Sequence, residues 1–212
     1  MWSRWQSWWQ RGGAAIDDSR WIVLDVEASG LDAAHDRLLA IAAIGVHFAD
    51  QRASIELGDS FEVVLRQPDA AAAPDKANIL LHGIGVGAQR GGVDAKVALQ
   101  AFADFVAEAP LVAFHAAFDR TLIERAADAA LGRRLPNPWL DLEPLAAVLY
   151  PDVKARALDE WMAHFDVHCA VRHQAEAATK AAQEAQADVQ LCQAAVDQLH
   201  AMLADHDRRV AE

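Results

Sequence analysis

Positive charge is in short supply in this chain. It carries 19 Lys and Arg against 31 Asp and Glu, a formal net charge of −12 over 212 residues. Proteins that grip long nucleic acids without sequence preference are usually basic, because neutralised phosphates supply the affinity. The deficit therefore argues against tight, unaided binding to long DNA. It does not exclude a phosphate-binding site in which carboxylates hold divalent cations, since the ions then bring the positive charge. Cysteine is nearly absent. Cys169 and Cys192 lack the close Cys/Cys or Cys/His spacing of a zinc site and make a poor disulfide framework. Two thiols used as small buried hydrophobes fit a reducing compartment, and the expected location is cytoplasmic. No run reaches the roughly eighteen apolar residues that span a bilayer. The N-terminus, MWSRWQSWWQRGG, has no smooth apolar core and does not read as a secretory signal. G-x-S-x-G, Walker A and G-x-G-x-x-G patterns are missing, as is any internal repeat, so the usual phosphate-loop and nucleophile-elbow readings lack support.

Hydrophobic residues make up 53% of the chain and charged ones 24%, which describes a globular protein of about one domain. Much of the apolar fraction is alanine, so a helix-rich protein with a modest core is expected. Residues 1–19 form a Trp-rich lead and a Gly-Gly linker, and residues 20–207 the domain proper. In the lead, Trp2, Trp5, Trp8 and Trp9 fall at helical spacing with Arg4 and Arg11 among them. One use of such a stretch is docking to a protein or a membrane surface. The other is a short helix that packs its indoles on its own domain.

Residues 21–26 (WIVLDV) form a short apolar run of β type that empties into acidic residues and Gly30, the pattern of a buried central strand. Residues 38–48 read as a second strand and 60–66 as a third, which closes an antiparallel meander. A loop covers 68–74 and a short helix 76–81. Residues 95–108 have helical periodicity and stop at Pro110, before a fourth strand at 111–114. A helix follows over 119–131 with Gly132 as its stop, then a short fifth strand at 139–142 and a helix at 156–165. From about 174 to 207 there is no Gly or Pro, and Val189, Cys192, Val196, Leu199 and Leu203 make an apolar stripe, so one long helix is expected. This order describes an α/β fold, a mixed five-stranded sheet with helices on both faces. Ligand chemistry then belongs at the ends of the central strands.

Asp25-Val26-Glu27-Ala28-Ser29-Gly30 carries the clearest chemistry. Carboxylates at i and i+2 of a strand point the same way. So close together they raise each other's pKa unless a cation lies between them, and Mg²⁺ or Mn²⁺ with their oxygen preference would relieve that. Phe114-His115-Ala116-Ala117-Phe118-Asp119 places another acid just beyond a buried strand, where it also suits a helix N-cap. Arg172-His173-Gln174-Ala175 opens the last helical stretch, with Asp188 further on.

With these segments the chain resembles the DEDD exonuclease superfamily, histidine subtype, which includes the proofreading subunit of bacterial DNA polymerase III. DVEASGL is similar to the first motif of that family (D-x-E-[TS]-[TS]-G), VAFHAAFDRTLI to the second (h-x-H-N-x-x-F-D), and RHQA to the opening of the third. The segment His82-Gly83-Ile84 is also similar to a family feature. The resemblance covers roughly residues 20–205 and implies an RNase H-like fold. It implies a hydrolase with two divalent cations, Mg²⁺ or Mn²⁺, that releases nucleoside monophosphates from the 3′ ends of single-stranded DNA or short RNA. Asp25, Glu27, Asp119 and a fourth aspartate, Asp188, would be the metal ligands, and His173 the general base. The backbone at Ala28, Ser29 and Gly30 would meet the terminal nucleotide, with Leu31 wedged beside its base. His115 and Phe118 lie in the second motif, within reach of substrate.

Three departures mark this chain. Ala28 stands where the family has a hydroxyl residue, and Ala116 where it has Asn. The third is larger. The family spaces its histidine and last aspartate as H-x-x-x-x-D, which points to position 178, occupied by Ala178. The next aspartate, Asp188, stands ten residues further on, so an insertion is expected within 174–187. A straight helix from His173 to Asp188 would hold them about 22 Å apart. A looped insert would return both to one site, and Glu176 or Glu184 would otherwise stand in. Two readings follow: an active exonuclease, or a catalytically impaired RNase H-like interaction module.

Overall fold

Residues 19–49, 52–68 and 83–167 are described by the computed structural model of the protein. The N-terminal Trp segment, the helix expected at 76–81, both cysteines, His173, Asp188 and the long C-terminal helix with its expected insertion all lie outside the described residues.

The apolar run at 21–26 forms the middle of the first strand, β1 (Arg20–Ala28). It pairs antiparallel with β2 (Leu38–Ala49), whose first nine residues are all buried. Burial on both faces is what a near-continuous apolar run such as LLAIAAIGV requires. β2 in turn pairs antiparallel with β3 (Arg52–Val64). On its other side β1 pairs parallel with β4 (Leu111–Ala113), and β4 parallel with β5 (Trp139–Asp141). The sheet order is β3-β2-β1-β4-β5, the expected mixed five-stranded sheet.

Side-chain alternation along β1 divides the core. Ile22, Leu24 and Val26 face one layer with Ile41 and Ala43, closed by Leu99, Phe102 and Val106 of α2 (Ala95–Val106) and by Leu122 and Ile123 of α3 (Ala116–Leu131). Val23 faces the other layer with Ile44, Val46 and Val112, closed by Leu142 and Ala146 of α4 (Leu142–Leu149) and by Trp161 of α5 (Leu158–His164). Each buried Val, Leu, Ile or Phe among them contributes about 1.5–3 kcal/mol. Helices therefore cover both faces of the sheet. Asp25 and Glu27 share the parity of Val23, so they belong to the α4/α5 side.

Several boundaries differ from expectation, each for a tertiary reason. β3 begins eight residues earlier than position 60, because the hairpin pairs Ala49 with Arg52 and carries polar residues along a sheet edge. A six-residue helix, α1 (Val86–Gly91), occupies a stretch whose glycines give it little propensity. Buried Gln89 anchors it, donating from Nε2 to the Ile84 carbonyl at 3.0 Å. α4 was not expected at all. It starts because Asp141 caps it, accepting from the Glu143 N–H at 3.2 Å. α5 is shorter than 156–165, since Glu160 turns back to accept from the Arg156 and Ala157 N–H groups at 2.7 and 3.1 Å.

Candidate active site

α3 starts at Ala116 and not at Asp119. His115 adopts a left-handed backbone (φ 59°, ψ 43°), which turns the chain sharply from β4 into the helix. Asp119 consequently lies inside the first helical turn and is only 3% exposed. Its carboxylate reaches the neighbouring strand. The Ile22 N–H points to the β4 side of β1, donating to the Pro110 carbonyl at 2.9 Å. Four residues on, the Val26 N–H points the same way, but β4 has already ended. Asp119 Oδ1 takes that N–H at 3.2 Å. The second acidic motif is thereby fastened to the first, between Asp25 and Glu27.

The electrostatics follow from this position. Burial pushes the Asp119 carboxyl up to about 7, against the hydrogen bonds from its own backbone and Val26, and the charges of Asp141 and Glu27 push in the same direction as burial. Glu27 is itself 9% exposed. Carboxylates crowded in this way suit a divalent cation, whose charge would offset their repulsion and desolvation, and an all-oxygen donor set suits Mg²⁺ or Mn²⁺. Among the described residues, no three His, Cys, Asp or Glu side chains converge enough to hold an ion by themselves. The third motif, with His173 and Asp188, lies outside them.

Asp141 is a neighbour that sequence reasoning missed. It ends β5, paired with Ala113 of β4, and its Oδ1 accepts from the N–H of His115 at 3.1 Å as well as from Glu143. Its signal was an acid at a strand-to-helix junction, the same arrangement that singled out Asp119. The His115 ring lies 3.9 Å from Glu143 Oε2 and remains largely exposed.

The loop after β1 is tightly organised. The Ala28 side chain is buried in the α2/α3 layer. The Ser29 hydroxyl donates to Asp36 Oδ1 at 2.8 Å and accepts from the Arg37 N–H at 2.9 Å. Both bonds tie the hydroxyl to the loop, and the contact expected of Ser29 is one of its backbone. A Cβ at Gly30 would stand 2.4 Å from Asp36 Oδ2, so any larger residue there would push the Asp36 carboxylate aside. Leu31, 88% exposed, projects beyond. Phe118 is half-buried and packs against the α2/α3 layer, leaving part of its ring at the surface. Among the described residues no helix is long and apolar enough to cross a membrane.

A family model described as Exonuclease, that of RNase T, matches residues 22–184. The match takes in His173 and stops before Asp188. The chain is 29% identical over 158 residues to the PolC-type DNA polymerase III of Halalkalibacterium halodurans, covering 74% of this chain and 10% of the polymerase. It is 29% identical over 167 residues to the same protein of Clostridium perfringens, covering 79% of this chain and 11% of that one. The chain thus spans about a tenth of the length of these relatives. Among solved structures, E. coli Exonuclease I in complex with a dT13 oligonucleotide aligns at a TM-score of 0.68 and 14% identity, over 88% of this chain and 43% of that one. A complex of Exonuclease I with SSB-Ct aligns at 0.63 and 16% identity, over 89% and 46%. At such identities the likeness is one of fold, RNase H-like. Both acidic motifs and the whole described sheet from Ile22 onward lie within the matched span, and the chain belongs to the RNase T exonuclease family.

Proposed function

We propose that this chain is a metal-dependent 3′→5′ exonuclease that removes nucleoside monophosphates from single-stranded DNA. The observation that carries the reading is the bond from the Val26 N–H to buried Asp119, which ties the helix of the second acidic motif to the strand of the first. Support for DNA comes from the polymerases that the chain resembles and from the DNA oligonucleotide in the Exonuclease I complex. Short RNA remains a second substrate to be assayed beside it.

Asp25, Glu27 and Asp119, with Asp188, would hold two divalent cations. Such ions, when bound, lower the pKa of water and place positive charge against a phosphate that is gaining negative charge. His173 accepts the proton of the attacking water. The new bond forms between that oxygen and phosphorus, the P–O3′ bond breaks, and the shortened strand keeps the 3′ oxygen, which takes a proton from solvent to become the new terminal hydroxyl. The Ser29 and Gly30 backbone supports the terminal nucleotide while Leu31 packs against its base.

The test is a 5′-labelled single-stranded oligonucleotide incubated with Mn²⁺ or Mg²⁺. A ladder shortening from the 3′ end is expected, lost in Asp25→Ala, Asp119→Ala and Asp188→Ala and in chelator. A ladder that survives Asp188→Ala would assign the fourth ligand to another acid, such as Glu184. Wild-type protein inert on both DNA and RNA would overturn the enzyme and favour an interaction module.

A further inference from the structure

The loop that follows Glu27 is clamped to the helix that carries Asp119. Residues 32–36 make a single turn, in which the Asp36 N–H donates to the Asp32 carbonyl at 2.7 Å and the His35 N–H to the same oxygen at 3.0 Å. Asp36 then gathers the loop with its side chain. Oδ1 accepts from the Ser29 hydroxyl, and Oδ2 from the Asp32 N–H at 2.8 Å. The absence of a side chain at Gly30 is what admits this carboxylate. From outside, Arg125 of α3 donates through Nη1 to the Asp36 carbonyl at 3.0 Å and to the Ala33 carbonyl. A cation on the free carbonyls at the end of a turn is favourable for the same reason that it is at a helix C-terminus.

We propose that Arg125 and Asp36 are positioning residues that fix Leu31 against the 3′-terminal nucleotide. α3 meets the first motif twice. Asp119 holds the backbone of β1 at Val26, and Arg125, six residues along the same helix, holds the loop that β1 runs into. One rigid helix thus sets the distance between the carboxylates and the exposed Leu31, which no neighbour restrains on its own account at 88% exposure. A substrate-binding side chain misplaced by an ångström loses much of its effect. Neither Arg125 nor Asp36 touches the reacting atoms. Their effect runs through the loop and therefore falls on binding of the strand end.

This inference rests on Leu31 being the substrate contact, and a double-mutant cycle separates the two ideas. Leu31→Ala, Arg125→Ala, Arg125→Lys and the Leu31→Ala/Arg125→Ala pair are assayed on a single-stranded DNA oligonucleotide with Mn²⁺, with thermal unfolding measured in parallel. The expected result for Arg125→Ala is a KM raised about tenfold to a hundredfold, the size set by a charged hydrogen bond, with kcat and the melting temperature moved far less. Arg125→Lys, which restores one donor, recovers part of the loss. The double variant loses less than the product of the two single losses, because Arg125 acts through the loop that carries Leu31. Additive losses, or a fall in kcat and melting temperature with KM unchanged, would overturn the clamp. If Leu31→Ala leaves KM unchanged, the substrate contact itself is wrong, and if Leu31→Ala raises KM while Arg125→Ala does not, the contact stands and the clamp falls.

Discussion

At the scale of single residues, Asp119 sets the terms. Its carboxyl keeps a proton to about pH 7 in the folded, metal-free protein, because burial first and its acidic neighbours second disfavour the charge. In the unfolded chain it ionises near its ordinary value of 3.8. Between those two pH values Asp119 holds more of its proton in the folded state than in the unfolded one, so its contribution to stability falls as pH rises from about 4 to 7 and stays low above it. The upper bound on this cost is about 4 kcal/mol at full ionisation. Asp119→Asn keeps the acceptor for the Val26 N–H and removes the charge. In chelator this variant should melt at a higher temperature than wild type at pH 8 and at nearly the same temperature at pH 4, while its exonuclease activity disappears. Melting curves at the two pH values check it, and a difference that does not change with pH would reject the assignment. Asp25, Glu27 and Asp119 stood out in the sequence because an apolar run of β type leads into each motif. Asp141 did not, since its relation to the site runs through the pairing of Ala113 with Asp141 across β4 and β5.

Among the elements, β3 shows how an edge strand with a polar first half is held in place. Asp59 lies over Gly45 of β2 and binds the Arg20 guanidinium of β1 at 2.6 and 2.7 Å and His47 Nε2 at 2.7 Å. The guanidinium also sits 4.9 Å from the centre of the Phe105 ring on α2. One carboxylate thus ties three strands to a helix, and the Arg20 hydrogen bond, with His47 after it, holds Asp59 below its usual range. That contribution is present above about pH 4 and is lost as pH falls further. A Cβ at Gly45 would stand 1.8 Å from Asp59 Oδ2. Gly45→Ala should cost about 1–3 kcal/mol by forcing the carboxylate aside. In an Asp59→Ala background the same change should cost little, and chemical denaturation of the four proteins reads the coupling. Equal costs in both backgrounds would mean that Gly45 is needed for some other reason. β1, β2, β4 and β5 were visible as apolar runs between turn signals. The first half of β3, α1 and α4 were not, because pairing to β2, buried Gln89 and the Asp141 cap decide them and none of these leaves a periodic pattern.

Across the whole molecule, a net charge of −12 bears on how an exonuclease holds its strand. Affinity for single-stranded DNA grows with the number of phosphates neutralised, and each contact steepens the salt dependence by about 0.7 in log–log slope. On the proposed function, an acidic chain would make few such contacts, with its grip confined to the terminal nucleotides near the carboxylates and Leu31. Release of the shortened strand should then compete with the next cut. We expect distributive digestion by this chain: in a time course with DNA in excess, every substrate shortens by one or a few nucleotides before any is degraded, and adding unlabelled DNA after the start stops further shortening of labelled strands. KM should rise only shallowly with salt, with a slope corresponding to about two or three phosphates. Fully degraded strands beside untouched ones, surviving the unlabelled trap, would require a basic path along the strand that the composition of this chain argues against.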